Sequence, residues 1–258
     1  MRGDNRTVMG GGDGMFHTTR WPRILGVQTQ DEDGKSVLLG AIVEQYWKPA
    51  YCYLRRKGLD NEAAKDLTQG FFTEVVLGRH LVEKADPHRG RFRTFLLASL
   101  NNYVTSVGRA DRAEKRAPPG KLVSLQGLDD ADIPEPDPRL SPDAAFHHAW
   151  ATAVLEDVLR EIESQYRQAG KAVHWEVFRE RVLGPILGQD EPPTLPELCA
   201  KHHIERPEQI SSMIVTVKRK FRAVLRSRLR SSVESAADVD AEIHRLMQIL
   251  SQSPPRSA

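Results

Sequence analysis

Between Asp60 and Leu77, the apolar residues Ala64, Leu67, Phe71 and Val75 recur three and four apart. At about 100° per residue that spacing places them on one face of a helix. Glu62, Asp66, Gln69 and Thr73 fall on the opposite face. Gly58 and Asp60 supply the start signals, a flexible break and then an N-cap, and Gly78 supplies the stop. Upstream, Val37, Leu38, Ala41, Ile42 and Tyr46 mark another helix, which Pro49 kinks or restarts before Tyr51 and Leu54. Downstream, a turn at Asp86-Pro87 precedes a long helix from about Phe92 to Ala113.

The texture changes from Ala117 to about Pro142, where six prolines and an acidic run predict an extended linker. Beyond it Trp150, Val154, Val158, Ile162 and Tyr166 recur at four-residue spacing, an amphipathic helix that Gly170 ends. Trp175, Phe178 and Val182 begin another. After the break at Gln189–Pro193, Thr194 N-caps a short helix that tolerates Pro196 in its first turn, and a long helix runs from Ile210 to Leu229. A last helix spans Asp238 to Leu250, with Ile243, Leu246, Met247 and Leu250 as its apolar stripe. No strand and no internal repeat is predicted. The expected fold is all-α: a Gly-rich lead-in over 1–16, a helical module over 17–116, an acidic linker over 117–143, a second module over 144–250 and a tail over 251–258.

The net charge of +2 conceals a segregation that bears on partners. Seven basic residues and no acidic one lie between Lys218 and Arg230, whereas Asp129 to Asp143 holds six acidic residues and a single Arg. The two cysteines, Cys52 and Cys199, sit far apart in apolar helical patterns and read as buried, reduced thiols. No apolar run approaches the 18 residues of a membrane span, and the first 20 residues lack the apolar core of a signal peptide. A soluble, cytoplasmic protein without membrane partners is expected. The run Met9–Gly14 is no phosphate loop, since no strand precedes it and no Gly-Lys-Ser/Thr follows. His147-His148 and His202-His203 are adjacent pairs that point to different helix faces, so no metal site is predicted. No carboxylate pair has a catalytic setting, and neither an enzyme nor a cofactor is expected.

The sequence Asp66-Leu67-Thr68-Gln69 followed by Phe71-Phe72 resembles the core-polymerase-binding helix of bacterial sigma factors, most closely the extracytoplasmic-function group. Thr18–Trp21, Tyr46–Tyr51 and Asp86–Leu100 are similar to a longer subgroup of that family familiar from planctomycete-like bacteria. Arg109–Arg116 resembles its basic tail, and Ser141–Leu250 follows it in outline, with a helix-turn-helix near 194–226. The resemblance implies a protein that recruits core RNA polymerase to promoter DNA, with an anti-sigma regulator as a candidate partner. Glu62, Asp66, Gln69 and Thr73 would dock on the clamp helices of the polymerase's largest subunit, with Phe72, at the edge of that face, either an anchor for the partner or a core residue.

Capturing melted DNA takes cations for phosphates and flat or amide side chains for unstacked bases. Arg89, Arg91, Arg93, Asn101 and Asn102 are the candidates, with Phe95 assigned to the core although the family often has Trp there. Arg109, Arg112, Lys115 and Arg116 would form a phosphate clamp, or else a solvated helix end that the helix macrodipole favours. The helix-turn-helix departs from the family. His203 stands where Gly is usual, at a position needing positive φ, and one extra residue, with Pro207, separates Ile204 from Ile210. The start of the recognition helix, Glu208, Gln209, Ser211 and Ser212, is nearly uncharged; Gln209 could read an adenine, and Ser211 and Ser212 discriminate little. Affinity would come from Lys218, Arg219, Lys220 and Arg222 on phosphates. Two rivals remain open: a helical interaction protein of this descent that no longer reads DNA, and a plain DNA-binding regulator, which leaves the Asp66 helix unexplained.

Overall fold

Pro49 does not break the first helix. The computed structural model describes residues 32–78, 81–86, 90–114, 135–186, 191–230 and 238–251, and α1 runs without interruption from Glu32 to Arg56. A proline inside a helix costs about 3 kcal/mol, and burial of its neighbours Tyr46, Trp47, Ala50 and Tyr51 offsets that cost. Val37 stands outside this buried line and is exposed. Gly58, at φ +93°, turns the chain after α1, and Asp60 caps the next helix by accepting the Ala63 N–H at 2.8 Å.

That helix, α2, is α-helical over Asn61–Gly70 and continues as a wider, π-type helix over Phe71–Leu77. Gly78 closes it in a right-handed conformation at φ −75°, so its glycine is not a left-handed cap. A Cβ there would lie 2.8 Å from the Glu74 carbonyl oxygen, which excludes any side chain. Gly70 is crowded too: a Cβ would lie 2.4 Å from the Tyr103 hydroxyl. A short 3-10 turn, Leu81–Lys84, leads towards α3, Phe92–Glu114. Aromatic contacts bind these helices: Trp47 with Phe72 at 6.2 Å, Tyr46 with Phe92 at 5.7 Å, and Phe71 with Tyr103 at 5.9 Å.

Much of the predicted linker, with the acidic residues Asp129, Asp130 and Asp132, lies outside the described residues. Its end is held on α1: Arg55 pairs with Glu135 at 2.5 Å, and Arg56 donates to the carbonyls of Pro138 and Leu140. The Arg139 guanidinium and N–H, both bonded to Asp137, hold that carboxyl down to about 2. Helix α4, Pro142–Gln168, follows, and Phe146 in its first turn stacks against Tyr46. The chain falls into two compact units that part between Phe146 and His147.

In the second unit, Trp150, Val154, Val158, Ile162 and Tyr166 of α4 are buried at the four-residue spacing their sequence predicts. Gly170, at φ +69°, ends α4, and α5 covers Ala172–Phe178 before widening over Arg179–Leu183. Helices α6 (Leu195–His202), α7 (Pro207–Arg230) and α8 (Asp238–Ser251) complete it. Helix α8 packs on α7, and its buried residues are Val239, Glu242 and Leu246. Its predicted stripe is therefore turned: Met247 is 57% exposed, and the buried line passes through Glu242 instead. Among the described residues all regular structure is helical, and the fold is all-α.

Candidate nucleic-acid and partner interfaces

Helix α2 leaves Glu62 and Asp66 exposed, with Gln69 and Thr73 half-buried along the same side. Lys65 approaches Glu62 at 4.0 Å without covering the row. Thr68 faces inward and donates its hydroxyl to the Ala64 carbonyl at 2.7 Å, so of the four residues 66–69 it belongs wholly to the core. Phe72 must be corrected. It is 0% exposed, between Trp47 and Phe71, and cannot anchor a partner from that position. The physical reason is the width of the buried side of α2: Thr68 and Gly70 are buried as well as Ala64 and Phe71, and Trp47 of α1 covers Phe72, so the core face reaches round to it. The widened turn, which advances fewer degrees per residue, brings Val76 in behind Val75.

The start of α3 is less open than its cations suggest. Arg89, Lys115 and Arg116 lie outside the described residues, as do the side chains of Arg109 and Arg112. Arg91 is half-buried and Asn102 exposed. Arg93 is only 5% exposed and is a correction to its assignment as a phosphate contact. It shares the line of Leu96, Leu97 and Leu100, three, four and seven residues on, and that line is the buried face of α3. Asn101 is exposed, yet its Oδ1 accepts from the Tyr53 hydroxyl at 2.9 Å and from Lys57 Nζ at 2.8 Å. It braces α3 against the end of α1, which engages the acceptor a base edge would need. Phe95 is half-buried, near Phe92 at 6.3 Å.

The second unit builds a helix-turn-helix from α6 and α7. Thr194 and Glu197 form a reciprocal capping box: the threonine hydroxyl accepts the Glu197 N–H, and the Glu197 carboxylate accepts the Thr194 N–H at 2.7 Å. That backbone hydrogen bond holds the Glu197 carboxyl below its ordinary range. His203 ends α6 in the left-handed conformation, φ 55° and ψ 45°, and the Ile204 N–H closes the turn on the Cys199 carbonyl at 2.9 Å. Pro207 opens α7 at its first position, where a missing N–H is harmless, which accommodates the longer turn. Val177, Leu198 and Ile210 are fully buried together, with Leu195, Cys199, Ile204 and Ile214 around them.

A left-handed non-glycine residue carries a penalty of about 1–2 kcal/mol. His203→Gly is therefore expected to stabilise the second unit, by about 0.5–1 kcal/mol after the added chain entropy of glycine. The midpoint of urea unfolding should rise with an unchanged slope; a fall would show that the exposed imidazole makes an interaction that outweighs its strain.

On α7 the side opposite Ile210 and Val217 is open. Glu208, Ser211 and Ser212 come first, then Lys218, Arg219, Lys220 and Arg222, all exposed, with Gln209 to one side. Between the two groups stands Val215, 53% exposed, which the apolar pattern of the helix did not single out. Its signal was available: it breaks the spacing of Ile210, Ile214 and Val217. Further along, Arg226 pairs with Asp240 of α8 at 2.5 Å, and the buried Arg228 pairs with Glu161 of α4 at 2.6 Å. Asp157, one turn before Glu161, has its carboxyl raised by burial.

Of the two thiols, Cys52 is buried, and burial pushes it up to about 11, whereas Cys199 is only half-buried. Among the described residues no cluster of three His, Cys, Asp or Glu side chains is placed to hold a metal ion. No described helix is long and apolar enough to cross a membrane. No protein family, curated protein or solved structure matches the chain.

Proposed function

We propose that the chain is an alternative sigma factor of the extracytoplasmic-function type, which binds core RNA polymerase and directs it to promoters. The observation that carries this reading is a pairing of two surfaces in one all-α chain. One is the row of exposed Glu62 and Asp66 and half-buried Gln69 and Thr73 on a helix whose other side buries Ala64, Phe71 and Val75. The other is a capped helix-turn-helix whose second helix exposes Lys218, Arg219, Lys220 and Arg222. An acidic row suits docking to a protein partner, and a basic helix suits phosphates. The first unit would hold the polymerase and contribute Arg91 and Asn102 to the melted minus-ten element. The second would bind the minus-thirty-five element and the polymerase flap. The acidic linker would thread the polymerase channel, its charge standing in for that of nucleic acid.

The test is binding of purified protein to core RNA polymerase, comparing wild type with an Asp66→Arg, Gln69→Arg double variant. Asp66 is exposed, where such a change shifts folding stability by no more than about 0.5 kcal/mol, and Gln69 is half-buried, so circular dichroism must show that the two substitutions leave the fold intact. At a docked interface they are expected to cost about 2 kcal/mol or more, roughly a thirtyfold loss of affinity. A well-folded wild type that does not bind the polymerase would remove the sigma reading.

A second reading is that the chain is a helical regulatory protein of this descent that no longer reads DNA. The burial of Arg93, the engagement of Asn101 and the cation-free start of α7, with Glu208 its one charge, favour it. A gel shift of promoter DNA by the chain with polymerase separates the two, since the second reading predicts polymerase binding and no shift.

A further inference from the structure

Single exposed apolar side chains are ordinary on protein surfaces, so exposure alone says little about Val215. Its surroundings say more. At about 100° per residue, Val215 lies about 140° around α7 from the buried Ile210 and about 40° from Arg219. It is therefore on the outward side of the helix, and it stands one turn beyond Ser211 and Ser212 and one turn before the cations that begin at Lys218. Packing does not hold it there, since 53% of it faces solvent. Helix propensity does not favour it either, because β-branched residues rank below most others at open helical positions.

The polar groups beside it discriminate weakly between bases. Ser211 and Ser212 carry hydroxyls that both donate and accept, and the Thr216 hydroxyl donates to the Ser212 carbonyl at 2.8 Å. The short serines would let the helix axis come close to the groove floor. On that floor the only apolar group is the 5-methyl of thymine. The flanking cations give the approach its geometry: Lys218 and Arg222 lie towards one side of the outward face and Lys220 towards the other, as a helix between two phosphate backbones requires.

On the reading of the chain as a promoter-binding protein, we propose that Val215 is a specificity-determining residue that recognises the 5-methyl group of one thymine in the major groove. The occupant is duplex DNA, because the patch is a single isopropyl group bounded by cations rather than a broad apolar surface.

The experiment uses the full chain, alone and with core RNA polymerase. Preferred duplexes are selected from a random library, and each thymine of the selected site is then replaced singly by deoxyuracil, which removes only the methyl. Removing one buried methyl is expected to weaken binding about fourfold at one position and not at the others. In Val215→Ser that position should become indifferent to the methyl, and Val215→Thr, which keeps one methyl, should fall between. Sequence-selective binding that ignores every thymine methyl overturns the assignment while leaving promoter binding intact. So does a methyl sensitivity that persists unchanged in Val215→Ser, or a Val215→Ser defect confined to polymerase binding. Failure to bind any duplex, with or without polymerase, overturns both this assignment and the DNA-binding reading beneath it.

Discussion

Phe72→Ala is expected to lower the stability of the first unit by about 3–5 kcal/mol, the usual cost of emptying a large aromatic site in a core. The side chain is fully buried, with Trp47 at 6.2 Å and Phe71 at 5.3 Å on its flanks. Such a loss is a large part of the 5–15 kcal/mol that holds a typical domain together. Urea denaturation followed by circular dichroism would give the size of the effect, and hydrogen exchange over residues 61–78 would locate it. The measurement also distinguishes two roles for the residue. A surface anchor would lose polymerase affinity at nearly wild-type stability, whereas a core residue loses stability first. A cost below about 1 kcal/mol would contradict the burial of Phe72 against Trp47.

The second large effect belongs to α7. Replacing Lys218, Arg219, Lys220 and Arg222 together by alanine is expected to reduce the salt dependence of duplex binding by about 3–4 in the log–log slope, near 0.9 per lost phosphate contact. Extrapolated from 1 M to 0.15 M salt, that corresponds to a loss of up to about a thousandfold in affinity. All four side chains are exposed and alanine is the best helix former, so α7 should remain folded. Binding titrations at several salt concentrations read the slope directly. An unchanged slope would mean that phosphate contacts lie elsewhere, and the basic helix would then be a solvated surface.

What the sequence made legible was whatever depended on local chemistry. Asp60 and Thr194 are caps because their oxygens reach N–H groups three residues on, and that geometry is written within a few residues. The left-handed state of His203 came from the family resemblance, in which glycine usually holds that position, and not from local chemistry. The buried line of α4 followed from its period alone.

The failures share a different cause. The stripe Ala64, Leu67, Phe71 and Val75 leaves Phe72 at the edge of the surface, and only the packing of Trp47 from α1, together with the burial of Thr68, shows the core face to be wider. Arg93 and Glu242 are charged residues on buried faces, and a pattern that scores charge as exposed must misplace both. Met247 was displaced outward as a consequence of Glu242 lying inward. Asn101 looked like a free amide until Tyr53 and Lys57, more than forty residues earlier, were brought to it. Val215 was passed over for a different reason: the inward face was drawn through Ile210, Ile214 and Val217, and an apolar residue off that line drew no reading although its register places it outside.

Gly70 sets two scales of design against each other. By intrinsic helix preference, Gly70→Ala should improve α2 by about 1 kcal/mol, and a stabilising screen guided by propensity would choose it early. The Tyr103 hydroxyl lies 2.4 Å from where the new methyl would sit, and the phenol is kept there by Phe71 on its ring and Glu74 on its oxygen. Overpacking a filled core costs about 1–3 kcal/mol, so the sign reverses. The missing side chain is the clearance that lets α3 lie against α2, and the glycine fixes how thin that layer of the bundle is.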